Sequence, residues 1–232
     1  MAIEEHLFDS SAQAEQALAV AVASALDAGL RVRERVSLVV SGGRSPIGFF
    51  HCLRDAVLDW SRVWITLADE RWLPPDNPDS NAALVTRHLL QGAASAAHFV
   101  ALWNDAPSPA QAITERGAAL SALPRPFDVV VLGMGEDGHT ASLFPGAAGL
   151  DAALASDGEA LLAAISPPEA PHQRLTLTLR ALVDARQIYL LISGNTKQAV
   201  YRRACAGTPP QQLPVAAILR QSRAPVMTYI AP

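Results

Sequence analysis

The sequence is poor in cysteine and in long apolar runs, and each shortage excludes a class of protein. Its two cysteines, Cys52 and Cys205, belong to no CxxC pair, so both are expected to be buried thiols rather than part of a disulfide framework. No apolar run approaches the roughly 18 residues that a membrane span needs, and the amino terminus has no signal-peptide pattern. We therefore expect a cytoplasmic protein with no membrane partner.

Charge is also scarce. Only 17% of the 232 residues are charged, the formal net charge is −4 and the pI is near 5.8, so no nucleic-acid partner is expected. A net negative protein can still build a local cationic pocket. Of the 18 basic residues only Lys197 is a lysine, which suggests that a compact ammonium group is wanted there.

Apolar strands alternate with helical patterns along the chain. The predicted strands are Val36–Val40, Val63–Ala68, a weak strand near Phe99, Phe127–Leu132, Ala160–Ile165, a half-exposed strand Arg174–Leu179, Gln187–Ile192 and Val226–Ile230. The predicted helices run from a Ser10 cap to about Ala28, from Ser45 and Pro46, over Asn81–Gln91 and Pro109–Ala122, briefly before Pro145, from Asn195 to about Ala206, and over Pro214–Leu219.

This alternation and the length indicate the fold class. We expect residues 1–232 to form one α/β domain, with a doubly wound, mostly parallel sheet in a three-layer α/β/α sandwich of Rossmann-like type.

A glycine-rich turn follows the first predicted strand. It consists of Ser41, Gly42, Gly43, Arg44 and Ser45. No GK[ST] follows, so it is not a Walker loop, but backbone N–H groups at a helix amino terminus attract anions in the same way. An ordinary turn capped by Ser45 also explains the pattern. Lys197, near the start of another predicted helix, favours a phosphate cradle.

A second glycine turn lies in the segment Phe127–Pro145, FDVVVLGMGEDGHTASLFP. It displays Asp137 and His139 at the carboxyl end of a buried strand, where open α/β sheets bind ligands. The glycines match GxGxxG, but a dinucleotide site needs a full helix after the third glycine and an acidic residue ending the next strand. Pro145 cuts the helix short and Asp157 precedes its strand, so we reject a dinucleotide site.

Two other chemistries find little support. A metal site built from Asp69, Asp137 and His139 is conceivable, but no helical HxxxH or CxxC spacing supports it, so no metal is expected. A serine hydrolase is not expected either, because GxSxG is absent and Ser142 lies in the predicted short helix.

Five motifs, in this order, resemble the 6-phosphogluconolactonase family within the glucosamine-6-phosphate isomerase and deaminase superfamily. They are SGGRSP, DERWLPPDNPDSN, FDVVVLGMGEDGHTASLFPG, RLTLTL and SGNTK, and they extend from about Val36 to Ala206. The resemblance implies hydrolysis of 6-phospho-D-glucono-1,5-lactone to 6-phosphogluconate in the oxidative pentose phosphate pathway. It also implies a small phosphorylated lactone as partner, no obligatory cofactor, and a monomer or small homo-oligomer.

The resemblance also implies where the phosphate of the substrate lies. The family's phosphate-binding loop falls on Ser41–Ser45 and its distal phosphate lysine on Lys197. Many relatives carry serine or threonine at the position of Arg44, so the role of Arg44 is left open. Arg174, which opens the RLTLTL strand, resembles a further phosphate or substrate contact.

The reacting end is implied in the same way. Asp69 and Arg71 fall on the segment that meets the sugar, and His139 matches the proposed general base. A lactone is an activated acyl compound that needs a deprotonated water and stabilisation of an oxyanion. We hypothesise that His139 takes the water proton, that Asp137 or a backbone carbonyl orients its ring, and that Arg71 stabilises the oxyanion.

Two rival functions were weighed. Glucosamine-6-phosphate isomerases and deaminases resemble the chain at Asp69 and His139, but carry a glutamate before the proline where this chain has Phe144. Since Phe144 cannot exchange protons, lactone hydrolysis is favoured. A non-catalytic sugar-phosphate sensor could keep Lys197 without His139. No helix-turn-helix pattern precedes the domain, so we do not expect a sensor.

Overall fold

The computed structural model describes residues 3–155 and 158–232. Its strands are β1 (Glu4–Leu7), β2 (Val36–Val40), β3 (Val63–Leu67), β4 (Asp69–Arg71), β5 (His98–Val100), β6 (Val129–Gly133), β7 (Leu162–Ile165), β8 (Arg174–Leu177), β9 (Ile188–Ser193) and β10 (Val226–Ala231). Its α-helices are α1 (Ser11–Leu30), α2 (Ile47–Arg54), α3 (Asn81–His88), α4 (Pro109–Leu120), α5 (Leu150–Leu154), α6 (Leu179–Val183), α7 (Asn195–Cys205) and α8 (Val215–Arg220). Asp157, weighed above for a dinucleotide site, lies outside the described residues.

Seven strands form one parallel sheet in the order β1-β10-β9-β6-β2-β3-β5, with helices on both sides. Every side chain of β2 is buried, as are the four valine and leucine residues that begin β6. Continuous valine-rich runs suit strands covered on both faces, since apolar side chains there leave water entirely. The predicted doubly wound α/β fold is confirmed.

The winding of the sheet reverses between β2 and β6. From β2 the chain moves outward through β3 to β5, and then returns to the other side of β2 and continues through β6 and β9 to β10. A crevice opens outside the carboxyl ends of the strands at such a switch point, and ligands bind there. The two glycine turns follow β2 and β6, so the topology places both beside this crevice.

A second, antiparallel sheet of order β4-β8-β7 stands over one side of the crevice and was not predicted. Ala68 joins the two sheets. Its N–H donates to Val40 O at 2.8 Å and its carbonyl accepts from the N–H of Leu177 at 2.8 Å. In this sheet Asp69 faces Thr176 and Arg71 faces Arg174. Residues from two distant segments therefore meet at the cleft.

Several local predictions need correction. The short helix predicted directly before Pro145 does not form; instead Thr140 and Leu143 form an isolated bridge, and the positive φ of Ala141 (49°) breaks helical geometry. The strand predicted as half-exposed is wholly buried at Arg174–Leu177, because β4 and β7 flank it. Cys205 is exposed and Cys52 is partly buried.

Other elements and helix caps form where they were predicted. Ser10 accepts a hydrogen bond from the Gln13 backbone N–H and caps α1, and Ser80 caps α3 through the N–H of Ala83. The strand β2 has the predicted bounds, and α7 begins at the predicted Asn195. In the described ranges, no helix combines the length and the apolarity that crossing a bilayer would require.

Candidate active site

A cleft of about 280 Å³ opens at the switch point. This is near the lower end of the roughly 300–1,000 Å³ typical of small-molecule sites, which suits a small ligand. All predicted site residues except Asp137 line it, namely Ser41, Gly42, Gly43, Arg44, Ser45, Asp69, Arg71, His139, Arg174 and Lys197. Four of these are arginine or lysine and one is a carboxylate, so the cleft is locally cationic although the chain is acidic overall.

Lys197 and the Ser41–Ser45 turn meet on one side of the cleft. The Lys197 ammonium donates a hydrogen bond to Ser45 Oγ at 3.3 Å. The cap considered for Ser45 is wrong, because α2 begins after Pro46 and has no side-chain cap. Ser45 instead extends the polar surface around the lysine. The two predicted halves of a phosphate cradle therefore lie in direct contact.

The turn presents backbone donors beside this lysine. Ser41 N–H is used within the sheet, where it donates to Val131 O at 3.1 Å. The N–H groups of Gly43, Arg44 and Ser45 have no acceptor within the part of the chain that the structure describes. Successive N–H groups that open toward one point form a concave site for an anion. A phosphate group fits the donors and the charge.

Asn81, which was not predicted as a site residue, packs against the Ser41–Ser45 turn at Gly42. It begins α3, is 3% exposed, and donates from Nδ2 to Asp69 O at 2.9 Å. Its Oδ1 is buried and has no hydrogen-bond partner among the described residues. A Cβ atom on Gly42 would lie 1.9 Å from that oxygen, so only glycine fits there. No local pattern marks Asn81, because its contacts come from two other segments.

His139 and Asp137 form a hydrogen-bonded pair at the other glycine turn. Nδ1 of His139 lies 2.6 Å from Oδ1 of Asp137, which also accepts the His139 backbone N–H at 3.1 Å. Because a carboxylate only accepts, Nδ1 carries a proton, and in the neutral form of the ring Nε2 is the nitrogen that has a free lone pair. Burial raises the pKa of Asp137, but the hydrogen bonds and charge of His139 outweigh burial and lower it. The carboxylate thus stays ionised and fixes the ring.

Two neighbours restrict the ring further. Phe144 stacks on His139 with ring centroids 4.2 Å apart, and the guanidinium of Arg174 lies 5.4 Å from the centroid of the Phe144 ring. A Cβ on Gly135 would come within 2.2 Å of the imidazole, so a larger residue there would displace it. The imidazole is therefore held by a carboxylate, an aromatic face and a glycine.

Asp69 and Arg174 lie deep in the cleft. Asp69 is 5% exposed and its Oδ2 lies 3.9 Å from NH1 of Arg174. Burial lowers the pKa of the Arg174 guanidinium, while the negative charge of Asp69 opposes that shift. The pair places one negative and one positive group in the cleft that Lys197 and His139 also line.

Arg71 lines the cleft beside Arg174, its partner in the register of β4 and β8. One of its nitrogens donates to Asp79 O at 2.7 Å, which anchors the guanidinium. Glu70, which lies between Asp69 and Arg71 in β4, does not line the cleft and accepts from the backbone N–H of Asn81 and Ala82 at 2.7 and 2.8 Å. Burial raises the pKa of Glu70 to about 7, although those hydrogen bonds lower it. Glu70 is thus a structural link between β4 and α3.

Replacing Asp137 with asparagine tests the pair. The amide oxygen can still accept from Nδ1, but the negative charge that stabilises a protonated imidazole is lost. We expect kcat to fall roughly 10- to 100-fold, less than the roughly 10²- to 10⁴-fold that a general base contributes, because the imidazole itself remains. The acid limb of the pH–rate profile should move to lower pH, because the protonated ring is less stabilised beside an amide.

The pH at which the pair of Asp137 and His139 is lost follows from the direction in which the pKa of Asp137 is shifted. Its lowered pKa keeps the carboxylate charged at neutral and mildly acidic pH, so the pair is lost only below the ordinary carboxyl range near about pH 4. Asp151→Asn, an exposed change in α5, serves as the matched control and should leave the profile unchanged. An unaltered rate and profile in Asp137→Asn would show that Asp137 does not act on His139.

The fold and the cleft define a doubly wound α/β protein with a cationic cleft at its switch point. Residues 9–227 match the family model described as glucosamine-6-phosphate isomerases/6-phosphogluconolactonase. The chain belongs to this family, which confirms the resemblance drawn from its motifs.

Individual relatives agree. The chain is 45% identical to a 6-phosphogluconolactonase of Pseudomonas aeruginosa over 92% of this chain and 90% of that protein. It is 39% identical to a 6-phosphogluconolactonase of Rhizobium meliloti over 100% of both chains. The crystal structure of a 6-phosphogluconolactonase from Shewanella baltica matches with a TM-score of 0.96 and 43% identity, covering 99% of this chain and 98% of that one.

Proposed function

We propose that the chain hydrolyses 6-phospho-D-glucono-1,5-lactone to 6-phospho-D-gluconate, a step of the oxidative pentose phosphate pathway. One observation carries the proposal: an oriented imidazole and a phosphate cradle share a single small cleft. The cradle is formed by Ser41–Ser45 with Lys197, and the imidazole is His139 held by Asp137. Such an arrangement suits a ligand with phosphate at one end and a hydrolysable group at the other.

The chemistry follows from these positions. Nε2 of His139 takes a proton from water as the water oxygen attacks the lactone carbonyl carbon, and the carbonyl oxygen becomes an oxyanion. Arg71 donates to that oxyanion. Collapse of the tetrahedral intermediate breaks the bond between the carbonyl carbon and the ring oxygen, which receives the proton from His139. Water is the only co-reactant, so the reaction calls for no redox cofactor.

The remaining contacts are assigned to binding. The turn Ser41–Ser45 and Lys197 hold the phosphate, and Arg174 contacts the phosphate or the sugar. Asp69 accepts from the sugar. Arg44 lines the cleft, and we propose no separate role for its side chain.

Isomerase or deaminase chemistry is less well supported. The residue before Pro145 is Phe144, which stacks on His139 and has no group that can exchange a proton. Ring opening and proton transfer on an amino sugar would need an acid near this place. Lactone hydrolysis does not.

The proposal extends to the setting of the protein. Residues 1–232 act as one domain, as a monomer or small homo-oligomer in the cytoplasm, on a small phosphorylated lactone. The lack of a basic nucleic-acid footprint in a chain of net charge −4 supports a small-molecule partner.

Substrate comparison tests the function. The wild type should accelerate the loss of freshly generated 6-phospho-D-glucono-1,5-lactone in proportion to enzyme concentration, and should release no ammonia from glucosamine 6-phosphate. Heat-inactivated protein provides the spontaneous rate. Ammonia release without faster lactone loss would overturn the assignment in favour of the deaminase.

A further inference from the structure

Ser142 contacts the cleft residue Asp69 from a turn that the sequence suggested was helical. Its Oγ donates to Oδ2 of Asp69 at 2.5 Å, and Ser142 itself is 0% exposed. A hydroxyl that is buried and donates its proton to a carboxylate is not available as a nucleophile. A hydrogen bond from a hydroxyl to a carboxylate is, however, among the stronger contacts in proteins.

The position of Ser142 is itself fixed. Its backbone N–H donates to Thr176 Oγ1 at 3.3 Å, and Thr176 is the residue directly opposite Asp69 in the antiparallel sheet. Ser142 therefore bridges a cross-strand pair, with its main chain on one member and its side chain on the other. The preceding residue, Ala141, has φ 49°, a backbone conformation that residues other than glycine rarely adopt. The surrounding contacts must therefore stabilise it.

The two oxygens of Asp69 have different surroundings. Oδ2 receives the Ser142 hydroxyl and lies 3.9 Å from NH1 of Arg174. No donor within the described ranges is bonded to Oδ1, although Asp69 lines the cleft. The backbone of Asp69 is also tied, since its carbonyl accepts from Asn81 Nδ2 at 2.9 Å. With Oδ2 and the main chain held, Oδ1 is the oxygen left to accept from a ligand.

We propose that Ser142 is a positioning residue that sets the rotation of the Asp69 carboxylate, so that Oδ1 accepts a hydrogen bond from a ring hydroxyl of the lactone. The inference rests on the proposed function and deepens it. Without Ser142 the carboxylate turns toward Arg174, and the hydroxyl loses its acceptor. The lactone carbonyl is then held less well against His139, while the phosphate cradle is untouched.

A double-mutant cycle tests the inference. The specificity constant kcat/KM for the phosphorylated lactone is measured for the wild type, Ser142→Ala, Asp69→Asn and the double variant. Loss of a hydrogen bond to a charged group predicts a fall of about tenfold or more for Ser142→Ala. If Ser142 acts through Asp69, adding Ser142→Ala to Asp69→Asn changes the rate less than about twofold. The inhibition constant for inorganic phosphate should match the wild type in Ser142→Ala.

Ser37→Ala is the matched control. Ser37 is also fully buried, and its hydroxyl lies 2.8 Å from Pro124 O and 3.3 Å from Oδ2 of the buried Asp128, but at the amino end of β2, away from the cleft. It should lower thermal stability without lowering kcat/KM. If Ser142→Ala does not fold, Ser142→Cys offers a side chain of similar shape and weaker donor strength for the same cycle.

Three results would overturn the inference. These are a wild-type rate in Ser142→Ala, a wild-type rate in Asp69→Asn, or an undiminished loss from Ser142→Ala when Asp69 is already asparagine. In each case the wild type remains an active lactonase. A wild type that shows no hydrolysis above the spontaneous rate refutes the proposed function itself, and this inference with it.

Discussion

Replacing His139 with alanine is expected to lower the enzyme-catalysed hydrolysis of 6-phospho-D-glucono-1,5-lactone by about 10²- to 10⁴-fold, the usual contribution of a general base. The loss should appear in kcat, because water activation is needed only in the transition state. KM should change little, since phosphate binding is assigned to Ser41–Ser45 and Lys197 and not to His139. Rates are measured by stopped flow on lactone generated in situ.

The control for His139→Ala is another histidine. His98 lies in β5, stacks on Trp64 with centroids 4.7 Å apart and does not line the cleft, so His98→Ala should keep the wild-type rate. Added imidazole should restore part of the activity of His139→Ala, because it can occupy the space of the missing ring. Retention of more than half of the wild-type kcat in His139→Ala would remove His139 from the mechanism.

Replacing Lys197 with methionine should weaken binding of the phosphorylated lactone and leave the unphosphorylated lactone unaffected. Methionine keeps the apolar length of the side chain and removes the charge. A charge-assisted hydrogen bond of about 1.5–3 kcal/mol corresponds to a rise in KM of about 10- to 150-fold. The change in kcat should be small, because the phosphate does not react.

The matched control for Lys197→Met lies on the same helix. Arg202 is exposed on α7 and outside the cleft, so Arg202→Met removes a positive charge without touching the cradle. Arg202→Met should hydrolyse both lactones with the same kcat and KM as the wild type. Equal effects of Lys197→Met on the two lactones would contradict the phosphate cradle, as would a wild type that does not distinguish them.

The centre of the main sheet could be predicted because β2, β6 and β9 are continuous apolar runs ended by glycine turns. Val36–Val40 is an instance in which composition alone marks both ends. Since parallel strands present their carboxyl ends at one edge, the turns after β2 and β6 had to meet. The close approach of Lys197 to Ser45 follows from that topology.

The second sheet could not be predicted in this way. Only Ala68 separates β3 from β4, and no turn residue marks the passage from one sheet to the other. The burial of Arg174 and its neighbours depends on strands from distant parts of the chain. The edge strand β1, with sequence EEHL, lacks apolar character because it is exposed.

The site residues that prediction missed share one physical cause. Asn81 and Ser142 donate hydrogen bonds to Asp69, which is 12 and 73 residues away in sequence. Neither bond leaves a periodic or spaced pattern. Local propensity permits a helix at Ser142, whereas long-range contacts hold the turn around Ala141.

The most direct test of the account is the rate at which the wild type consumes 6-phospho-D-glucono-1,5-lactone, compared at equal concentration with the unphosphorylated lactone. Both are followed from fresh solution, with the spontaneous rate subtracted. The account predicts loss of the phosphorylated lactone in proportion to enzyme concentration, with 6-phospho-D-gluconate as product and a much higher kcat/KM than for the other lactone. Loss of the phosphorylated lactone at the spontaneous rate would contradict the account.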